Sequence, residues 1–295
     1  VETLSKRLNE TPLAGLLGLV MVWCGMALGH TLVVLQVGIT GGYSILDSII
    51  CLLLGCMGFA LVWIGMKLPE NQATVLGYVG GSLIWVGPFE WTWRYSSHML
   101  NIQPIMDAGM PILSGELLMI QATTFIVISM LLFLGANKDT RCRMFMWFHR
   151  NLGMRPGQMT PGYKRQHARN TALETVFLIW TIYLFAIYIN DPRGIHYAST
   201  TAVALTVGFV VWGIYLITKL VKIRGIGTAL RYAIPTGSIM WLPIEGFSRW
   251  GLYPEVWVKP IQYPGFMLMV LAIFTIGLAS MYRNRMKSDQ ITATS

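Results

Sequence analysis

The sequence predicts an all-α integral membrane protein of about eight transmembrane helices, arranged as two parallel four-helix repeats. Three observations predict it. Of 295 residues, 54% are hydrophobic and only 12% are charged, with a mean hydropathy of +0.56; a soluble domain carries about a quarter charged residues. Several apolar runs reach the roughly 20 residues that a helix needs to cross a bilayer. A charged motif set inside one of these runs recurs in the second half of the chain.

The first run, Leu13 to about Val37, follows a polar segment containing Lys6 and Arg7. It is too long for a signal peptide and reads as a membrane helix that also serves as an uncleaved insertion signal. The second run extends from about Ser44 to Met66 and ends in the polar turn Lys67-Leu68-Pro69-Glu70-Asn71. The third covers about Ala73 to Tyr95 and carries the motif. After a loop with His98, Pro104 and Asp107, the fourth runs from about Met110 to Leu134. Residues 136–170 form a basic connector in which proline and glycine mark turns. Four more runs follow: Thr171 to Asn190, Ser199 to Lys222, Gly227 to Trp250 and Tyr263 to Met281. The chain thus divides into an N-terminal membrane half (1–135), a connector (136–170), and a C-terminal half with a charged tail (171–295).

Basic residues orient this scheme. With an even helix count, both termini share a side with the second-to-third, fourth-to-fifth and sixth-to-seventh connections. That side collects 18 of the 22 lysines and arginines, leaving Arg94, Arg193, Arg249 and Lys259 on the other. The positive-inside rule therefore puts both termini in the cytoplasm. The expected location is a bacterial or archaeal cytoplasmic membrane. Topology accounts for the net charge of +9, so no nucleic-acid partner is expected. The expected partners are the lipid bilayer and either other membrane subunits or further copies of the chain.

The recurring motif is P-x-E-x-x-x-R-[YW], followed by P-I-x-x-x-G. One copy holds Pro88, Glu90, Arg94, Pro104-Ile105 and Gly109; the other holds Pro243, Glu245, Arg249, Pro260-Ile261 and Gly265. So many fixed positions mark an internal repeat. Gly58-Phe59 before Trp63 is matched in the same way by Gly208-Phe209 before Trp212. Even helix counts in each half give both halves one orientation, related by an axis along the membrane normal. Glu and Arg four apart share a helix face and are expected to pair. A charge at the bilayer centre costs about 2.5–3.5 kcal/mol even on the lenient insertion scale, so the motif is either a clamp or a site. Trp85, Trp91, Trp93, Tyr95, Trp241, Trp250, Tyr253 and Trp257 are expected to form an aromatic belt at the outer interface.

The candidate functional cluster is Glu90, Arg94, Glu245, Arg249, Glu116, His30 and His98, all in the outer third of the bundle. His30 and His98 are the candidate metal ligands, because histidine with carboxylates is a zinc, copper or iron ligand set. No two histidines stand at helical metal spacing, and an interhelical hydrogen bond is the simpler role for His30. Cys142, Met144, Met146 and His149 are soft ligands by type, though methionine is common throughout the chain. No nucleotide-loop, Rossmann, nucleophile-elbow or zincin motif is present. The residues themselves define no cofactor.

Leu68-Pro69, Ala73-Thr74-Val75, Glu90-Trp91, Arg94-Tyr95 and Pro104-Ile105 resemble a stretch of the A-type membrane subunit of the copper membrane monooxygenases, the methane and ammonia monooxygenase family. Glu245, Arg249-Trp250 and Pro260-Ile261 echo it in the second copy, and Gly29-His30 resembles that family's histidine-containing first helix. The loop after the first helix departs from the family, being GITGGYS in place of a segment rich in tryptophan and aspartate. The resemblance implies a membrane subunit of a multisubunit, copper-dependent oxidising complex, with no copper ligand carried over to this chain. Two other readings stand beside it: a small-solute or ion transporter or channel, and a non-catalytic accessory membrane subunit.

Reporter fusions test the topology. Fusions at Pro156 and Ser295 are expected to report the cytoplasm, and a fusion at Gly41 the opposite face. A Pro156 reporter found outside would overturn the helix count.

Overall fold

The structure, a computed structural model, describes residues 7–284 apart from 108, 140–145, 147, 148, 151, 152, 154 and 156. Cys142, Met144 and the tail beyond 284 therefore lie outside the described residues. The helices are α1 (Leu13–Thr40), α2 (Ile45–Gly65), α3 (Glu70–Ile84), α4 (Glu90–Met99), α5 (Gly115–Ala122), α6 (Thr124–Ala136), α7 (His167–Asn190), α8 (Thr200–Leu220), α9 (Ile226–Arg249) and α10 (Pro264–Arg283). Among the described residues, five helices are long and apolar enough to cross a membrane: α1, α2, α7, α8 and α10. A sixth forms if α5 and α6, bent by 42° at their junction, count as one. The chain is a helical integral membrane protein.

The helices sort into a core and a perimeter. α7 is mostly buried, with α3 and α9 packed against it and α1 packed on α9, whereas α2, α8 and α10 turn most of their surface outward. Ile45, Leu53, Phe59 and Trp63 on α2, Val211 on α8, and Leu268 and Ile276 on α10 are all more than half exposed. An apolar face of that extent belongs against lipid. α3 and α9 are less apolar than the perimeter helices, because α3 begins with Glu70-Asn71-Gln72, α9 carries Glu245 and Arg249, and both hold many small residues.

Those small residues set the spacing. A Cβ added to Gly58 on α2 would sit 2.7 Å from the carbonyl oxygen of Gly80 on α3, and one added to Gly80 would sit 2.7 Å from that of Gly58. Gly77 and Gly81 bring α3 equally close to Ala168 and Ala172 on α7. Backbones in this kind of contact gain dispersion energy where lipid supplies no hydrophobic drive. The Gly-Phe echo between Gly58 and Gly208 is out of register. Nothing lies within 4 Å of a Cβ at Gly208, and the α8 glycine that meets the neighbouring α9, at Met240, is Gly213.

Two helices break where their sequences compete with the backbone ladder. Between α3 and α4, Trp85–Phe89 forms one turn of π-helix around Pro88, which has no amide hydrogen to donate. Between α5 and α6, the Thr123 and Thr124 hydroxyls donate to the carbonyls of Ile120 and Gln121 at 2.6 Å each, and the helix bends there. Residues 110–113, expected as the start of the fourth membrane helix, instead pair as β2 (Met110–Leu113) with β1 (Ile105–Asp107) in an antiparallel hairpin. The hairpin satisfies backbone groups of a loop lying between two helix ends.

One end of the bundle is tied by amides. Asn9 bonds to Asn284 at 2.8 Å, and its backbone and side chain receive the amides of Gly225 and Ile226. Asn71 donates to the Asn284 carbonyl and accepts from the Gly227 amide, while Arg231 pairs with Glu70. The chain's N-terminal segment, the starts of α3 and α9, and the end of α10 therefore meet. At the opposite end, Asp191 receives a two-pronged bond from Arg193 and a third from Gln121 on α5. The Arg193 guanidinium holds that carboxyl well below the usual carboxylate range.

Gly58→Val tests the close packing. Overpacking costs about 1–3 kcal/mol or more where backbone rather than a side chain must yield. Thermal unfolding in detergent is expected to drop for Gly58→Val and stay at the wild-type value for Gly208→Val.

Candidate polar site in the helical core

The motif glutamates do not pair with the arginines four residues on. Each accepts instead from a tryptophan on its own helix: Trp85 Nε1 donates to Glu90 Oε1 at 2.6 Å, and Trp241 Nε1 donates to Glu245 Oε1 at 2.6 Å. The two tryptophans stand at different sequence separations from their glutamates, five in the first copy and four in the second. The π-turn absorbs the difference. Its extra residue carries the same donor to the same acceptor, and Gly87 fits there because a Cβ would lie 2.6 Å from the Cys51 carbonyl oxygen on α2.

Each glutamate has a second partner on a core helix. Tyr183 on α7 donates to Glu90 Oε1 at 3.4 Å, and His30 Nε2 on α1 lies 3.2 Å from Glu245 Oε1. His30 is stacked between two rings, Tyr183 at 6.2 Å and Trp241 at 6.1 Å. Two Trp–Glu–ring arrangements thus meet where His30 faces Tyr183. The predicted interhelical role of His30 is the one the geometry displays.

Arg94 is drawn elsewhere. Its guanidinium meets Asp47 Oδ2 at 3.0 Å, with Asp47 fully buried and Arg94 5% exposed. Gln36 and Thr40 donate to Asp47 Oδ1 at 2.8 and 2.9 Å, and Arg94 Nε reaches the Gly42 carbonyl. Both oxygens of the Asp47 carboxylate are hydrogen-bonded, which offsets part of the cost of burying the pair. It fastens α4 to α2 and to the end of α1. Arg249 is exposed, so the two copies of the motif differ at their arginines, and the expected Glu–Arg pairing is corrected in both.

The other candidates divide. Glu116, in the first turn of α5, lies close enough to feel the charges of Glu90 and Arg94. His98 sits exposed at the end of α4, stacked on Tyr43 with centroids 3.9 Å apart, away from His30. Among the described residues, no three His, Cys, Asp or Glu side chains come together as a metal-binding group. Half of the expected aromatic belt is core. Trp85, Trp93, Trp241 and Trp257 are buried, and Trp85, Phe89, Trp93 and Trp180 form one cluster of ring contacts. An indole N–H buried in an apolar bundle needs an acceptor, and the motif glutamates supply it for Trp85 and Trp241.

Asp47 and Tyr183 escaped the sequence reading. Asp47 had a signal, since it is the sole acidic residue in an otherwise apolar helix, but its place three residues after Ser44 also suits a helix cap, and the Ser44 hydroxyl does accept its amide. Tyr183 had none, as tyrosine is ordinary in such a helix.

The arrangement lines a cavity of about 40 Å³ between α1, α3, α7 and α9, reached by His30, Glu90, Trp85, Tyr78, Tyr183 and Ser82. A second, of about 20 Å³, lies between α7, α8 and α9 and reaches Glu245, Asn190 and Thr206. The His30–Glu245 contact stands between them. Compared with protein-family models, curated proteins and solved structures, the chain matches none of them.

Removing one partner of the Asp47–Arg94 pair leaves a buried charge alone, at a cost of about 3–5 kcal/mol. Arg94→Met is therefore expected to lose most folded yield, and Arg94→Met combined with Asp47→Asn to recover part of it. Yield by size-exclusion chromatography measures both. Arg249→Met, at an exposed position, is expected to match the wild type.

Proposed function

We propose that the chain crosses the bilayer eight times, as two parallel four-helix repeats with both ends on the cytoplasmic side, and that it carries a small solute or ion through the cavity between the halves. The carrying observation is the composition of the cavity wall. Val22, Met26 and His30 on α1 correspond to Thr175, Ile179 and Tyr183 on α7 at one constant sequence offset. Tyr78 and Ser82 on α3 correspond to Ile234 and Ser238 on α9 at another. A wall built of matching positions is what a cavity on the axis between two repeats would have. The amide ties joining Asn9, Asn71, Gly225–Gly227 and Asn284 at one end support an even number of passes. That end also holds Lys67 and the basic stretch from Lys219 to Arg231. Ionisable residues facing the interior of a membrane bundle mark substrate and ion paths.

Cysteine accessibility tests this reading. Ser82→Cys and Ser238→Cys are made separately in a chain with Cys24, Cys51, Cys56 and Cys142 replaced by alanine. In proteoliposomes, both are expected to react with a membrane-impermeant thiol reagent supplied from either face. Failure of both to react from both faces means a sealed cavity and removes the transport reading.

The second reading, a membrane subunit of a copper-dependent monooxygenase complex, is supported by the sequence stretch from Leu68-Pro69 through Glu90-Trp91 and Arg94-Tyr95 to Pro104-Ile105. It requires partner chains to supply the metal ligands. Purification from native membranes separates the readings: stoichiometric partner subunits with bound copper favour the complex, and the chain alone or as a homo-oligomer favours the carrier.

A further inference from the structure

We propose that the ion this protein carries is the proton, and that His30 and Glu245 hand it from one cavity to the other; this rests on the carrier reading and names its cargo. Volume narrows the choice. A water needs about 10–15 Å³ of such space, so the cavity of about 40 Å³ takes about three waters and that of about 20 Å³ takes one. A metal ion with a shell of six or more oxygens exceeds both, whereas a proton passes along waters and titratable side chains. The cavities meet at an acid and a base. His30 lines the larger and Glu245 the smaller, and His30 Nε2 stands 3.2 Å from Glu245 Oε1. The two side chains remain 22% and 21% accessible, although both lie among the core helices. A histidine accepts a proton on one ring nitrogen and releases one from the other, and histidines with carboxylates inside membrane bundles serve as proton relays. The other groups acting on the pair are Glu90 from α4, Tyr183 from α7, Tyr253 and Glu255 from the segment after α9, and the exposed Arg249. Carboxylates predominate among them, a field that draws protons in.

The transfer balances with waters alone. A hydronium in the smaller cavity protonates the Glu245 carboxylate, and the carboxyl passes that proton to His30 Nε2. The imidazolium then releases its Nδ1 proton to a water in the larger cavity. Nδ1 makes no hydrogen bond among the described residues, which leaves it available to water. One proton crosses, and a half-turn of the ring about its Cβ–Cγ bond restores the starting tautomer. The smaller cavity reaches Tyr197, between α7 and α8, and Trp250, just past the end of α9. Beyond the larger cavity, toward the end tied by amides, α7 continues the route. Thr175 lines that cavity, and Thr171 and His167 follow on the same helix face at steps of four. The Thr171 hydroxyl and His167 Nδ1 are buried without a hydrogen-bond partner among the described residues. Ordered water is the usual partner of such atoms. His167 in turn lies close enough to feel the charges of Arg231 and Glu70, and the Glu70 side chain is 45% exposed at the tied end.

Proton flux through the full chain in proteoliposomes is the direct test, read by pyranine inside the vesicles under a potassium diffusion potential set with valinomycin. Proton uptake above that of protein-free vesicles is expected, with no sodium uptake under the same potential. His30→Gln is expected to slow the proton flux by about a hundredfold, the lower end of what a positioned proton-transfer group contributes. Glu245→Gln keeps an oxygen for His30 and Trp241 and is expected to slow it likewise, which serves if His30→Gln misfolds. Wild-type protein without proton flux overturns the proposal, as does sodium flux equal to that of protons, or unchanged flux in either folded variant. If Ser82→Cys and Ser238→Cys are reachable from both faces while no proton passes, the carrier reading stands and only the proton assignment falls.

Discussion

A buried acceptor in an apolar bundle must be met by a donor, and the core of this protein is organised by that requirement. Unpaired polar groups are costly in a low-dielectric interior. Glu90, Glu245 and Asp47 are met by Trp85 with Tyr183, by Trp241 with His30, and by Arg94 with Gln36 and Thr40. These contacts cross from α4 to α7, from α9 to α1, and from α4 to α2 and α1. They fix which face of each core helix turns inward, and the glycines then set how closely the backbones can approach.

The tryptophan–glutamate bond also explains an irregularity. Copies of one motif that differ by a residue between tryptophan and proline would ordinarily place their side chains about 100° apart around the helix. The π-turn at Trp85–Phe89 takes up the added residue, and the same 2.6 Å bond forms in both. Pro88 contributes by leaving a carbonyl without its usual donor, and Gly87 by allowing α2 to come near. Backbone irregularity in a membrane helix is tolerated where protein rather than lipid surrounds it, and Trp85, Val86 and Gly87 are all buried.

Functional difference between the halves rests on the residues that answer the two glutamates. Tyrosine is a neutral donor to Glu90; histidine can take a proton and share it with Glu245. One half therefore sets its glutamate against a base and the other sets its glutamate against a neutral donor. In the carrier reading this asymmetry makes the two halves of the path chemically different. In the complex reading, the same contacts fasten a scaffold beside partner subunits. Both readings use the same residues and differ in whether the cavity opens.

The sequence by itself determined that this is a helical membrane protein, because hydropathy and run length act residue by residue and need no partners. It also singled out Glu90, Glu245 and His30, since a charge or imidazole in an apolar helix is conspicuous in one dimension. The tertiary structure decided whom they contact. Spacing of four made Glu90–Arg94 and Glu245–Arg249 available, but Asp47 offered Arg94 a buried carboxylate with two further donors already aimed at it, and Arg249 remained at the surface. Spacing could not reveal the π-turn, because Pro88 was equally compatible with a kink. It could not separate interfacial tryptophans from Trp85 and Trp241 either, because an indole satisfied at the membrane surface and one satisfied by a carboxylate have the same local sequence. A helix's own pattern states which groups need partners; only the packing of α1, α2, α7 and α9 against one another determines which partner is within 3 Å.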